Sequence, residues 1–131
     1  MYLVDTHTLL WSLFEPEKLP SRHQAILQNV NEQKLISTLS VWEVSLKFGL
    51  GRLDLGGHTP EMFLEKARSF GFQIIAPKPA TFASFYRLNL LRDHKDPFDR
   101  MLIWHAVCAQ LTLISSDAHM ARYQTLGLSL F

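Results

Sequence analysis

A single cysteine in 131 residues excludes an internal disulfide and agrees with a reducing compartment. Cys108 stands in Ala106-Val107-Cys108-Ala109, where a thiol reads as a small core side chain rather than a nucleophile. Long apolar runs are also missing, and none approaches the roughly 20 residues that a membrane-spanning helix needs. The start, Met1-Tyr2-Leu3-Val4-Asp5, has no basic leader and meets an acid where an export signal would still be apolar. A cytoplasmic protein with no membrane partner is therefore expected. Charge of one sign is lacking too: Lys and Arg number 13 against 12 Asp and Glu, a formal net +1. That balance gives no strong sign of a polyanion-binding protein, although buried acids would hide a basic rim in such a sum. Repeats and low-complexity stretches are absent. With 47% hydrophobic and 19% charged residues, the chain has the composition of one globular domain over residues 1–131 with a sizeable core.

What is present is an alternation of short apolar strands and helical spacing. Residues 1–4, 34–37, 73–76 and 111–115 read as strands, with 128–131 as an edge strand. Between them, a helix over 6–14 carries Leu9, Leu10 and Leu13 inward, and Ser21 caps a helix to about residue 31 with Ile26, Leu27 and Val30 on one side. Ser40 is expected to cap a third helix, with Val41, Val44 and Phe48 at core spacing and Gly49 and Gly51 ending it. Residues 51–57 look like a turn or short hairpin. Thr59-Pro60 opens a helix that Gly71 stops, another runs from 78 to about 90, and Asp96-Pro97 opens one ending near Gln110. A short last helix covers 119–123. The pattern predicts a three-layer α/β/α fold with a mainly parallel central sheet.

The acids fall at the joints of this pattern. Asp5 follows the first strand, Glu43 sits on the third helix, Asp96 and Asp99 open the long helix, and Asp117 follows the fourth strand. In parallel sheets functional groups gather at the carboxyl ends of strands. Carboxylates gathered there repel unless one is protonated or a cation lies between them, and hard divalent ions such as Mg²⁺ or Mn²⁺ take oxygen ligands. The chemistry this implies is metal-dependent phosphodiester hydrolysis by water. Each acid also has a plainer use. Asp5 and Asp117 are good helix caps, Glu43 lies four residues before Lys47 as in an exposed ion pair, and Asp96-Pro97-Phe98-Asp99 resembles a capping box. Asp96 is thus either cap or ligand, and Asp99, one turn inside, ranks above it as a ligand.

Three blocks, Leu3-Val4-Asp5-Thr6-His7-Thr8-Leu9-Leu10-Trp11, Ser40-Val41-Trp42-Glu43 and His94-Lys95-Asp96-Pro97-Phe98-Asp99-Arg100-Met101-Leu102-Ile103, resemble the signature blocks of PIN-domain ribonucleases, most of all VapC-type toxins. They occur in the family's order across nearly the whole chain. The resemblance implies Mg²⁺- or Mn²⁺-dependent RNA cleavage, with Asp5, Glu43, Asp99 and Asp117 as the catalytic and metal-binding acids and Asp96 matching an additional acid of the subgroup. It also implies that Ser115 supports the site through its hydroxyl. A cognate antitoxin, a homodimer and an RNA substrate, with transfer RNA a family-level expectation, come from the same source. Met120, where an aromatic residue is frequent, and Trp104-His105 depart from the pattern.

Around such a site Lys95 and Arg100 are the candidate RNA contacts, while Lys47, Arg52, Arg87, Arg92 and Arg122 read mostly as solvated surface. His7 and His94 lack the paired spacing of a zinc site. Trp11, Trp42 and Trp104 suit core packing or a partner surface. Two rivals stand against the nuclease. A haloacid-dehalogenase-type phosphatase needs a second aspartate two residues after the first, and His7 holds that place. A PIN fold that binds RNA or protein without cutting is opposed by the presence of all the acids.

Overall fold

The computed structural model describes residues 1–88 and 96–131; Arg92, His94, Lys95 and the end of the helix expected over 78–90 lie outside the described residues. Strands β1 (Tyr2–Val4), β2 (Lys34–Ser37), β3 (Gln73–Ile75), β4 (Thr112–Ile114) and β5 (Ser129–Leu130) form one sheet in the order β3-β2-β1-β4-β5. Every pairing is parallel, so the sheet is all-parallel rather than mainly so. Six α-helices are described: α1 (Thr6–Phe14), α2 (Ser21–Gln28), α3 (Thr38–Gly49), α4 (Pro60–Ser69), α5 (Pro79–Ala83) and α6 (Pro97–Ala109). Tighter 3₁₀ turns cover Pro16–Lys18, Phe85–Arg87 and Ala118–Leu126.

Successive strand residues point to opposite faces, and the core divides accordingly. Val4, Ile36 and Ile114 join Leu9 and Leu13 of α1, Val44 of α3 and Phe63 and Ala67 of α4. Leu3, Leu35 and Leu113 join Leu102, Ile103 and Ala106 of α6 together with Met120 and Tyr123. Helices therefore cover both faces, and each fully buried aliphatic or aromatic side chain contributes on the order of 2 kcal/mol. The chain leaves β1 toward β2 on one side, while β4 pairs with β1 on the other. The crevice at the carboxyl ends of β1 and β4 is thus the point where strand order reverses, the usual ligand position in open parallel sheets.

Several local expectations are corrected. Ser21 does not cap α2, whose N-cap is Pro20 without a side-chain bond. That helix stops at Gln28 because Asn29 Oδ1 accepts Asn31 N–H in a competing local turn, 2.9 Å, and Val30 is left 90% exposed. The cap of α3 is Ser37, which accepts Leu39 N–H at 3.1 Å, so the helix begins as soon as β2 ends. Ser40 instead accepts the Thr6 hydroxyl at 2.9 Å, fastening α3 to α1. The buried face of α3 is consequently Leu39, Ser40, Glu43 and Val44, and Phe48 is exposed. Residues 51–57 form no hairpin; Gly56 and Gly57 both take positive φ, turning the chain where other residues would be strained. The helix after Pro79 breaks at Ala83 because Trp104 Nε1 donates to Thr81 O, 3.1 Å, the carbonyl that a continuing helix would use. Cys108 is exposed, not core, since the buried positions of α6 end at Ala106. Among the described residues no helix is long and apolar enough to cross a membrane.

Candidate functional site

The parallel pairing of β1 with β4 sets Asp5 beside the residues that follow β4. Asp5 N–H continues the ladder to Ile114 O at 3.1 Å, and the two oxygens of its carboxylate then divide their work. Oδ1 accepts Thr8 N–H at 2.8 Å and caps α1, while Oδ2 accepts the Ser115 hydroxyl. Ser115 Oγ in turn accepts Asp117 N–H at 3.1 Å. One hydroxyl therefore joins the first acid to the backbone of the last, across a separation of more than a hundred residues in sequence.

Asp99 comes from the first turn of α6, and its place depends on Asp96. The Asp96 carboxylate accepts Phe98 N–H at 2.9 Å and Asp99 N–H at 3.1 Å, with Pro97 opening the helix. Asp5, Asp99 and Asp117 line one cleft of about 220 Å³, together with Thr8, His7 and Trp11. A cleft of about 320 Å³ between Leu19, Leu27 and Phe72 is larger but contains no carboxylate, so size alone does not identify the site. Asp117 also caps its 3₁₀ turn through His119 N–H and faces His119 Nδ1, both at 2.9 Å.

Electrostatically the cleft is poised for positive charge. Burial pushes the Asp5 carboxyl above the ordinary carboxylate range, against the opposing pull of the Ser115 and Thr8 hydrogen bonds and of His7. Thr8 Oγ1, on the same cleft, is buried beside the Asp5 carboxylate, whose charged form it favours. A desolvated carboxylate, two further carboxylates and a buried hydroxyl make an all-oxygen donor set that fits a hard divalent cation and its hydration water. Among the described residues, no three His, Cys, Asp or Glu side chains already stand close enough together to hold an ion.

Glu43 takes a different position from the other acids. It is only 4% exposed, does not line the cleft, and its Oε2 accepts Lys47 Nζ at 2.5 Å. Burial acts against the Lys47 ammonium, but the hydrogen bond and charge of Glu43 and the charges of Asp96 and Asp99 hold its pKa above the ordinary lysine value. Arg100 is turned toward other company: its Nη2 donates to Leu88 O at 3.1 Å and its guanidinium lies 5.0 Å from the centre of the Phe85 ring. Asp96 likewise stands outside the cleft lining. The lining residues that the acid pattern alone did not mark are Thr6, His7, Thr8, Trp11 and Ser116; for Thr8 and Trp11 the helical spacing from Asp5 was the available signal, since three-residue steps share a helix face.

Among curated proteins none matches this sequence significantly. Solved structures do match. VapBC2 from Rickettsia felis bound to a promoter DNA fragment superposes with a TM-score of 0.68 at 16% identity, over 99% of this chain and 96% of that one. DNA-bound VapBC from Salmonella typhimurium gives 0.68 at 17% identity, again over 99% and 96%. FitAcB from Neisseria gonorrhoeae gives 0.65 at 18% identity, over 100% and 96%. Identities this low show the fold and nothing finer. The sequence profile of the PIN domain, however, matches residues 2–126, nearly the whole chain, and in the same span lie all the acids of the β1/β4 crevice: the chain belongs to the PIN domain family.

Proposed function

We propose that this PIN domain is a Mg²⁺- or Mn²⁺-dependent endoribonuclease acting as the VapC-type toxin of a toxin–antitoxin pair. The observation that carries the proposal is the meeting of Asp5, Asp99 and Asp117, from three separate elements, on one cleft at the sheet's switch point. These three residues would hold the metal, with Glu43 joining directly or through water. When bound, the ion supplies neutralisation of charge on the scissile phosphate and acidifies attacking water, leaving a 5′-phosphate and a 3′-hydroxyl.

The remaining roles belong to the chain's own groups. Ser115 and the Thr8 backbone orient the Asp5 carboxylate, and Asp96 orients the turn that carries Asp99. Thr8 Oγ1, buried on the same cleft, is placed to accept a hydrogen bond from water there. His7 and Trp11, in edge-to-face contact with ring centres 6.3 Å apart, form a wall against which an RNA base can rest. Arg100 and Lys95 remain the proposed contacts to phosphates beyond the cut. RNA, with transfer RNA first among candidates, is the proposed substrate, and a cognate antitoxin and a second copy of the chain are the proposed partners; the similar solved structures of VapBC support the antitoxin. The proposed place of action is the cytoplasm.

A second reading, a PIN fold that holds RNA or protein without cutting it, draws on the lack of a ready three-donor group among the described residues. The two are separated by incubating antitoxin-free protein and its Asp99→Asn variant, matched for folding by circular dichroism, with total cellular RNA and Mg²⁺ or Mn²⁺, beside EDTA controls. Discrete metal-dependent cuts that vanish in the variant are expected. Intact RNA in every lane, with no metal binding by calorimetry, would replace the nuclease by the binding module.

A further inference from the structure

One turn of α3 carries both a buried acid and a cation. Lys47 reaches back to Glu43, with Nζ 2.5 Å from Oε2, and the two side chains are 34% and 6% exposed. An i,i+4 pair on an open helix surface is worth only tenths of a kcal/mol because both charges keep their water. Here the acid has lost most of its water, and a buried carboxylate needs its partner far more than an exposed one does. The ammonium also faces acids of a second helix. Asp96 and Asp99 at the start of α6 act on it alongside Glu43, and Trp42 packs edge-to-face on Phe98 with ring centres 5.0 Å apart, fixing the start of α6 against this stretch of α3. A positive charge thus already stands on Glu43 and feels Asp99, one of the acids with which Glu43 would share a metal.

We propose that Lys47 is a tethered counter-ion that holds Glu43 in reserve and competes with the divalent cation, so that loading the site requires the ammonium to leave Glu43. This rests on the nuclease reading of the acid cluster and deepens it. In the unloaded protein Lys47 compensates a buried carboxylate. In the loaded protein Glu43 turns its charge to the site, and the released ammonium, half-buried on the same helix, becomes available to a phosphate of the substrate. Lys47 is on this account a positioning residue, acting through Glu43.

Calorimetric titration of purified protein with Mn²⁺ alone tests this, together with thermal melting with and without the ion. Lys47→Met removes the charge and keeps the stem; Lys47→Gln removes the charge but leaves an amide to donate to Glu43, so that one variant folds even if the other does not. Both are expected to bind Mn²⁺ at least about tenfold more tightly than wild type, as removal of a like charge from an ion site allows, and Lys47→Met is expected to melt lower without the ion and to gain more on its addition. If Lys47 merely stabilised α3, its replacement would lower the melting temperature without tightening Mn²⁺ binding. Unchanged or weaker Mn²⁺ affinity in the folded variants would overturn the proposal while leaving the nuclease reading intact. Absence of Mn²⁺ binding by wild type and variants alike would overturn both.

Discussion

The cap at Asp96 offers a sharp test of which acids serve the fold and which serve the site. Its carboxylate takes the N–H groups of Phe98 and Asp99 at 2.9 and 3.1 Å, two of the donors that a helix start leaves without internal partners. Asp96→Ala removes both contacts and a favourable negative charge at the positive end of the helix dipole. The expected cost is about 1 kcal/mol. For a chain of 131 residues, unfolding entropy near 2 cal/mol/K per residue converts this to a fall in Tm of about 4 °C. Asp96→Asn retains an acceptor of the same shape and should keep most of that stability, since asparagine and aspartate cap about equally well. The decisive assay is Mn²⁺ titration by calorimetry on the folded variants. Asp96→Asn should alter affinity less than about threefold, whereas Asp99→Asn, which removes a charge from the cleft itself, should weaken it more than about tenfold. If Asp96→Asn keeps its melting temperature and yet loses Mn²⁺ as severely as Asp99→Asn, Asp96 is a ligand and the division between cap and ligand is refuted.

Two further outcomes follow from other parts of the structure. Because burial raises the Asp5 pKa, the folded protein holds its proton more tightly than the unfolded chain. The stability this group contributes is complete below its unfolded pKa and is lost as pH rises through the folded one; metal-free wild type should therefore lose melting temperature relative to Asp5→Asn as pH rises above the ordinary carboxylate range of about 4, and a pH-independent gap between them would contradict the assignment. Trp104→Phe deletes the donor to Thr81 O and Ser84 Oγ, each 3.1 Å away, and should cost about 1 kcal/mol in urea denaturation with Mn²⁺ affinity unchanged; a loss of affinity would mean that the α5–α6 contact reaches the site.

The layer order was legible because apolar strands and helical spacing alternate cleanly, and the signal was strongest where both sides of a strand are buried. Leu3-Val4, Leu35-Ile36 and Leu113-Ile114 each send one residue to either core, which a continuous apolar run announces without any partner being known. Asp5, Asp99 and Asp117 were legible for a related reason: each directly follows a strand or opens a helix, so local pattern located them, and the sheet order then brought them together. Boundaries were less visible. Ser37 and Ser40 are equally good caps in composition, and only the immediate passage from β2 into α3, with Ser40 drawn to Thr6, decided between them. That three-residue difference matters, because the buried face of α3 runs through Ser40, Glu43 and Val44 rather than through Val41 and Phe48.

Glu43 shows where local pattern stops being informative. A glutamate four residues before a lysine looks the same whether the pair is bathed in water or wedged between two helices. Its energetics depend on what the opposite helix contributes, and that helix lies more than fifty residues further along the chain. In the folded protein Glu43 is buried on the inner face of α3, and the lysine's charge is shared with Asp96 and Asp99 of a helix that Trp42 meets through Phe98. On the proposed reading, the same two residues that would be ornamental on a free surface then govern whether the acid is available to a cation. The cap on α6 and the ion pair on α3 are therefore coupled: any substitution that frays the first turn of α6 moves Asp99 and also removes negative charge that steadies Lys47. Metal affinities of Asp96→Ala and Lys47→Gln should accordingly fail to add in the double variant, as expected for neighbours that share a partner.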